Sequence, residues 1–203
     1  MFPVTLDLAG RRVVVVGGGS VGRRKAAAAA AAGAVVTVVD PAESPGTAVP
    51  GLTVLVESYA PDHVTGADLV FACATPEVNA RVVADCRVRR VWVNSATDPT
   101  VGDFTLPAVL GVGKLTLAVA TGGAAPALAR RVRDRLAAQF DAAFAAWVEL
   151  LNEVRGQVLV TVADPARRRE LLDGFADWPW LDRLRAEGVE AVRAAMLAAV
   201  GGG

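Results

Sequence analysis

The stretch RRVVVVGGGSVGRRKAAAAAAAGAVVTVVD, Arg11 to Asp40, constrains the fold more than any other part of the chain. Val13 to Val16 is an apolar run without alternation, the pattern of a parallel strand covered on both faces. Glycines break it. Arg23 to Ala32 then reads as a helix, because alanine has the highest helix propensity and Gly33 supplies a stop. Val35 to Val39 reads as a second strand, so the stretch is a βαβ unit with a right-handed crossover.

Between strand and helix, Gly17, Gly19 and Gly22 stand in G-x-G-x-x-G register. Each glycine has a physical task there: a tight turn, a close backbone approach to a pyrophosphate, and contact of helix with strand. Ser20 and Val21 lie at the helix start, where free N–H groups and the positive end of the helix dipole suit phosphate. Asp40 ends the second strand. A carboxylate there accepts hydrogen bonds from ribose hydroxyls and repels a 2′-phosphate, so the expected cofactor is NAD rather than NADP. The bland alternative is a tight βα turn with no nucleotide. Arg23, Arg24 and Lys25 either add charge near the phosphates or solvate the first helical turn.

Past a turn-rich linker, AESPGTAVPG, the segments LTVLVES, ADLVFACAT and VWVNSA read as third, fourth and fifth strands, with PEVNARVVADCRVRR as a helix before the last. Strands alternating with helices predict an α/β protein with a Rossmann-like, doubly wound parallel sheet. Lys114 to Gly123 reads as a further alternating strand, and APALARRVRDRLAAQFDAAFAAWVELLNEVR as one long amphipathic helix. From about Ala163 the pattern is helical with a break at DWPW. Leu171, Leu172, Phe175, Trp178, Trp180, Leu181 and Leu184 are its expected core, and Gly201 to Gly203 its frayed tail. The composition shifts near residues 111 to 114, which is the expected domain boundary.

Two further places carry possible chemistry. ACAT ends the fourth strand, and the small residues Ala74 and Thr75 allow a nicotinamide ring to approach the backbone. Asn79 caps or orients that loop. NSATDPTVGDFTLPA follows the fifth strand, at the sheet edge where ligands bind in such folds, and it holds Asp98 and Asp103. For Asp103, a hydrogen bond that holds the loop is an equal reading.

Composition excludes several classes. Lys plus Arg equals Asp plus Glu at 21 each, which gives no case for a nucleic-acid or anionic-membrane partner. The most apolar long segment, KAAAAAAAGAVVTVVDP, is too weakly apolar for a membrane span, and the N-terminus lacks the pattern of a signal peptide. Cys73 and Cys86 are not at metal-ligand spacing, and with the one histidine, His63, in a surface turn they predict no metal site. Two free thiols fit a reducing, cytoplasmic setting.

Taken in order, FPVTLDLAGRRVVVVGGGSVGRRKA, GADLVFACAT, EVNARV, VWVNSATDPTVGDFTLPA and LTLAVATGGAAPALARRVRDRL resemble the precorrin-2 dehydrogenase and sirohydrochlorin ferrochelatase family, which includes the N-terminal module of sirohaem synthase. The resemblance covers roughly residues 2 to 140. It implies NAD-dependent oxidation of precorrin-2 to sirohydrochlorin in sirohaem biosynthesis, followed in some members by iron insertion. It also implies a homodimer. On that basis residues 1–112 form the NAD-binding Rossmann domain, 113–150 the dimerisation segment and 151–203 a small helical C-terminal domain, with the tetrapyrrole in a cleft.

The family block has an acid three residues after the asparagine. Here Thr97 holds that place and the acid is displaced to Asp98, the expected catalytic residue, with Thr97 and Asp103 as substrate contacts. Gly122, Gly123 and Arg130 of the block after the last strand are further substrate contacts, with Lys114, Arg131 and Arg133 as possible partners of the tetrapyrrole carboxylates. Ala125 stands where the family commonly has serine. Metal insertion needs a base and often ligands for the ion, so a dehydrogenase without that activity is the expected form. Two other classes stay open: a non-catalytic NAD- or tetrapyrrole-binding, redox-sensing module, and a Rossmann oxidoreductase with an unrelated small substrate.

Overall fold

Val13 to Val16 is buried throughout and belongs to β1 (Arg12–Val16), the middle strand of a five-stranded parallel sheet. The computed structural model describes residues 2–42 and 52–201. Most of the linker expected at Ala42 to Gly51, and the last two glycines of the tail, lie outside the described residues. The chain divides into two units, Met1–Leu106 and Pro107–Gly203.

In the first unit the strand order is β3-β2-β1-β4-β5, with β2 at Val35–Val39, β3 at Leu52–Leu55, β4 at Leu69–Ala72 and β5 at Trp92–Ser95. The chain leaves β1 towards β2 on one side and returns to β4 on the other. That reversal is the switch point of a doubly wound sheet. Register places the site: Val16 pairs with Val39 and with Ala72, so Gly17, Asp40 and Cys73 emerge side by side.

Alternation along β1 sends its side chains to two cores. Val13 and Val15 pack with Ala26 and Ala29 of α1 (Ser20–Ala31), whereas Val14 and Val16 pack with Val82, Val83 and Cys86 of α2 (Pro76–Arg89). A helix on each face is what removes polar positions from the strand. α1 begins at Ser20, three residues before the expected Arg23, because Gly22 is already helical and packed on the glycine turn.

The second unit holds an antiparallel hairpin, β6 (Ala108–Val112) and β7 (Leu115–Val119), and five helices: α3 (Pro126–Ala137), α4 (Ala142–Thr161), α5 (Pro165–Phe175), α6 (Pro179–Glu187) and α7 (Val189–Gly201). β6 was not expected, and β7 pairs with it alone in a separate two-stranded sheet. Gly113, at φ 55, takes the left-handed conformation that the two-residue connection needs.

The single long helix expected after β7 is two helices. Asp141 caps α4, its carboxylate accepting from Phe144 N at 2.8 Å, which gives the second helix its own start. Phe144, Trp147, Leu150, Val154 and Val158 line the inner face of α4, in one core with Leu171, Phe175, Leu181 and Leu184. Leu172 and Trp180 are partly buried against it. Trp178 departs from the expected core: it stands 58% exposed at the cap of α6, with its ring tilted against Phe144 and Trp147. No described helix is long and apolar enough to cross a membrane.

Candidate dinucleotide site and the acidic loop

A pocket of about 470 Å³ opens at the C-terminal edge of the parallel sheet. Gly17, Gly19, Asp40, Ala74 and Thr75, five of the residues singled out from the sequence, line it together, with Cys73, Val78, Arg81, Ser58 and Tyr59 among their neighbours. Ser20, Val21 and Gly22 form the first turn of α1 directly behind the glycine turn.

The glycines differ in what they exclude. At Gly17, with φ 103, an added Cβ would lie 2.5 Å from the Cys73 carbonyl carbon and oxygen. At Gly22 it would lie 1.8 Å from the Gly17 oxygen. Both positions are closed by protein. At Gly19 nothing lies within 4 Å of the added Cβ, so this residue is bare towards open space. That is the pattern of a phosphate cradle: two glycines let backbone pack on backbone, and one leaves room for a ligand beside the N-terminus of a 12-residue helix.

Asp40 is fixed from two sides. Its carboxylate accepts from Gly18 N at 2.5 Å and from Ala42 N at 2.8 Å, joining the end of β2 to the glycine turn. Each oxygen retains a lone pair for a ribose hydroxyl. Arg23 Nη1 donates to the Gly18 carbonyl at 2.9 Å, which braces the same turn.

Lys25 is not where a solvated first turn would put it. It is buried with Gly22, Ala26 and Ala29 on the inner face of α1. Nζ donates to Asn94 Oδ1 at 2.5 Å and lies over the Phe71 ring. Burial lowers the Lys25 pKa, and burial raises that of Cys73, an effect the lysine charge partly offsets. The spacing Gly22, Lys25, Ala26, Ala29 is that of one helix face, the signal that could have found it.

At the other end of the pocket Asn79, buried at 1% exposure, holds the wall. Its Oδ1 accepts from Ala74 N at 2.9 Å, and its Nδ2 donates to Ala74 O at 3.2 Å and to Thr97 Oγ1 at 3.1 Å. The orienting role is thus the one realised. Through Thr97 the pocket wall joins the loop after β5.

Within that loop the two acids differ. Asp103 Oδ2 accepts from Val93 N at 2.8 Å, while Asp103 N donates to Val93 O at 2.8 Å, so it ties the returning chain to β5. Asp98 is exposed. Its Oδ1 accepts from Thr100 N at 2.9 Å and from Thr100 Oγ1 at 2.6 Å, and these bonds, the hydroxyl first, hold its pKa below the ordinary aspartate value. It is a carboxylate held in its ionised form at the surface, able to pair with a cation, and the same bonds weaken it as a base.

Gly122, Gly123 and Arg130 belong to the second unit. The glycines, at φ 64 and φ 87, form the turn before α3, and Arg130 is exposed on that helix. Lys114 pairs with Glu149 at 3.0 Å, and Arg133 with Asp134. Ala125 gives α3 no side-chain cap; Thr121 Oγ1 instead accepts from Ala125 N at 3.1 Å. His63 sits in a short 3₁₀ turn with both ring nitrogens engaged, Nδ1 with Ala60 N and Nε2 with Glu57. Among the described residues no cluster of three or more His, Cys, Asp or Glu could hold a metal ion.

Comparison with known proteins agrees with this geometry. A family model described as "Putative NAD(P)-binding" matches residues 4–108, and one described as "Sirohaem biosynthesis protein central" matches residues 112–139. The chain is 34% identical over 133 residues to siroheme synthase of Gluconacetobacter diazotrophicus, covering 63% of this chain and 28% of that protein. It is 38% identical over 147 residues to siroheme synthase 2 of Aeromonas salmonicida, covering 70% of this chain and 30% of the relative. It thus spans about a third or less of these relatives. A solved structure titled "SirC, precorrin-2 dehydrogenase" superposes with a TM-score of 0.83 at 26% identity, covering 100% of both chains. With half its length under the first model, and the glycine turn and Asp40 inside that half, the chain is a member of this NAD(P)-binding family.

Proposed function

We propose that the chain catalyses the NAD-dependent dehydrogenation of precorrin-2 to sirohydrochlorin, a step of sirohaem biosynthesis. The observation that carries this reading is likeness over the whole length of both chains to a precorrin-2 dehydrogenase, together with a pocket whose residues fit a dinucleotide. The fit rests on the bare Gly19, the braced Asp40 and the helix N-terminus between them. The reaction removes a hydride and a proton: precorrin-2 and NAD⁺ give sirohydrochlorin, NADH and H⁺.

NAD, when bound, supplies the hydride acceptor. The chain's own residues do the rest. Asp40 takes the ribose hydroxyls and disfavours a 2′-phosphate. Gly17, Gly19, Ser20, Val21 and Gly22 present backbone to the pyrophosphate. Ala74 and Thr75, with Ala74 held by Asn79, form the wall for the nicotinamide. Asp98, the exposed carboxylate of the loop, accepts the proton, the Thr100 bonds that lower its pKa weakening it as a base. In the first unit Thr97 and Asp103 are the assigned substrate contacts; in the second, taken by itself, they are Gly122, Gly123 and Arg130, the arginine for substrate carboxylates.

We further assign a homodimer formed through residues 113–150, where Leu128 and Val132 of α3 leave apolar surface exposed, and a cytoplasmic setting, supported by the free thiols Cys73 and Cys86. Sedimentation analysis tests the first. For the activity, purified protein is mixed with precorrin-2 and NAD, and absorbance of NADH is followed. A rise that depends on both reactants is expected; no rise while precorrin-2 stays intact rejects the reading.

A further inference from the structure

The glycine turn divides the pocket. On one side stand Cys73, Ala74 and Thr75, at the end of β4. On the other stand Asp40 and Pro41, at the end of β2, and Ser58 and Tyr59, beyond β3. The second side is the adenosine half, if Asp40 takes the ribose.

Arg81 reaches this half from an unexpected direction. It belongs to α2, three residues after Val78, and i, i+3 spacing puts both on the helix face that lines the pocket. Its guanidinium lies over the Tyr59 ring, 5.9 Å from the centroid. Tyr59 is a firm base: it is 9% exposed, and its hydroxyl donates to Asp85 Oδ2 at 2.9 Å. Among the described residues Arg81 joins no ion pair, although α2 carries Asp85 one turn on, which pairs with Arg89 instead. A guanidinium therefore lies over a buried ring, at the wall of the adenosine half.

We infer that Arg81 is a binding residue for the adenine base, which stacks on the guanidinium in a layered arrangement of Tyr59, Arg81 and purine. The inference rests on the dinucleotide reading of this pocket. Guanidinium planes stack on π systems at both faces, a geometry lysine cannot supply. Because the stack acts on the base, it serves any ligand carrying adenosine diphosphate and leaves the nicotinamide half indifferent to residue 81. The pocket then discriminates twice at this end: Arg81 favours a ligand that carries an aromatic base, and Asp40 selects against a 2′-phosphate.

Binding of NAD, NADP, ADP-ribose and nicotinamide mononucleotide to the full chain is measured by calorimetry, for wild type, Arg81→Ala and Arg81→Lys. The expected result is a loss of roughly tenfold in affinity for NAD and for ADP-ribose in both variants. Nicotinamide mononucleotide binding is unchanged, and the ratio between variants is insensitive to salt. Retained binding in Arg81→Lys, with a strong salt dependence, overturns the stack in favour of simple charge. A loss confined to NADP overturns it in favour of a 2′-phosphate contact. If wild type binds NAD and both variants bind it equally well, the inference falls and the dinucleotide reading stands; if wild type binds no dinucleotide, both fall.

Discussion

Lys25 Nζ and Asn94 Oδ1 lie 2.5 Å apart, both buried, and join the cofactor helix α1 to strand β5. Asn94 continues the link, its Nδ2 donating to the Phe104 carbonyl at 2.8 Å. A change in α1 can therefore be felt in the loop that holds Asp98 and Asp103.

Lys25→Met removes the donor and leaves Asn94 Oδ1 buried and unpaired, which should cost about 1–3 kcal/mol of stability. Urea denaturation measures it. Combined with Asn94→Ala, the losses should fall short of additive by about 1 kcal/mol, because both changes remove the same bond.

Gly22 and Gly19 should separate folding from binding. Gly22→Ala drives a Cβ into the Gly17 carbonyl and should destabilise by about 3 kcal/mol or more. Gly19→Ala meets open space in an extended conformation, φ −64 and ψ 179, that alanine adopts freely. Its stability should stay within about 0.5 kcal/mol of wild type, while NAD affinity falls by about tenfold or more as the methyl enters the phosphate path. Denaturation and calorimetry on the same samples decide it.

Asp40→Asn keeps the size of the side chain and removes its charge. NAD binding should weaken several-fold, and the preference for NAD over NADP should shrink, as repulsion of the 2′-phosphate is lost. Equal ratios of the two dissociation constants in variant and wild type would contradict the ribose assignment.

Asp98 should titrate below 3.8, its ordinary value, since both Thr100 bonds favour the charged form. Thr100→Val removes the hydroxyl, the larger cause, and should move the midpoint up towards 3.8, read by NMR of the side-chain carboxyl. The sign follows from linkage: a depressed folded pKa adds stability that is present above the unfolded value and lost as pH falls through the folded one. Asp98→Asn should lower turnover of precorrin-2 by about a hundredfold if it accepts the proton, with NAD affinity unchanged.

The first unit was largely legible because its signals are local. An unalternating valine run, a glycine turn and an alanine helix each point to one structure, and together they place β1, α1, β2 and the glycine turn of the pocket. The second unit was less so. β6 shows no polar alternation because its exposed positions hold Val109 and Gly111, and the break before α4 depends on Asp141 acting as a cap inside a continuous helical pattern. In the site, Asp40 and Ala74 followed from position along strands. Lys25 did not, because a third basic residue in RRK looks like its exposed neighbours until the helix face is counted. Arg81 and Tyr59 were invisible for another reason: they are 22 residues apart and meet only through the packing of α2 against the segment between β3 and β4.

The amide of Asn79 accepts from Ala74 N and donates to Ala74 O, the exchange that a neighbouring strand makes with its partner in a narrow antiparallel pair. A helix side chain thus acts as a one-residue strand, prolonging the sheet beyond the last rung of β4. The backbone at Ala74 is locked in both directions before any ligand arrives. Ordering that peptide is a cost met once, in folding, and not again at each round of association, so the wall can be polar and still rigid.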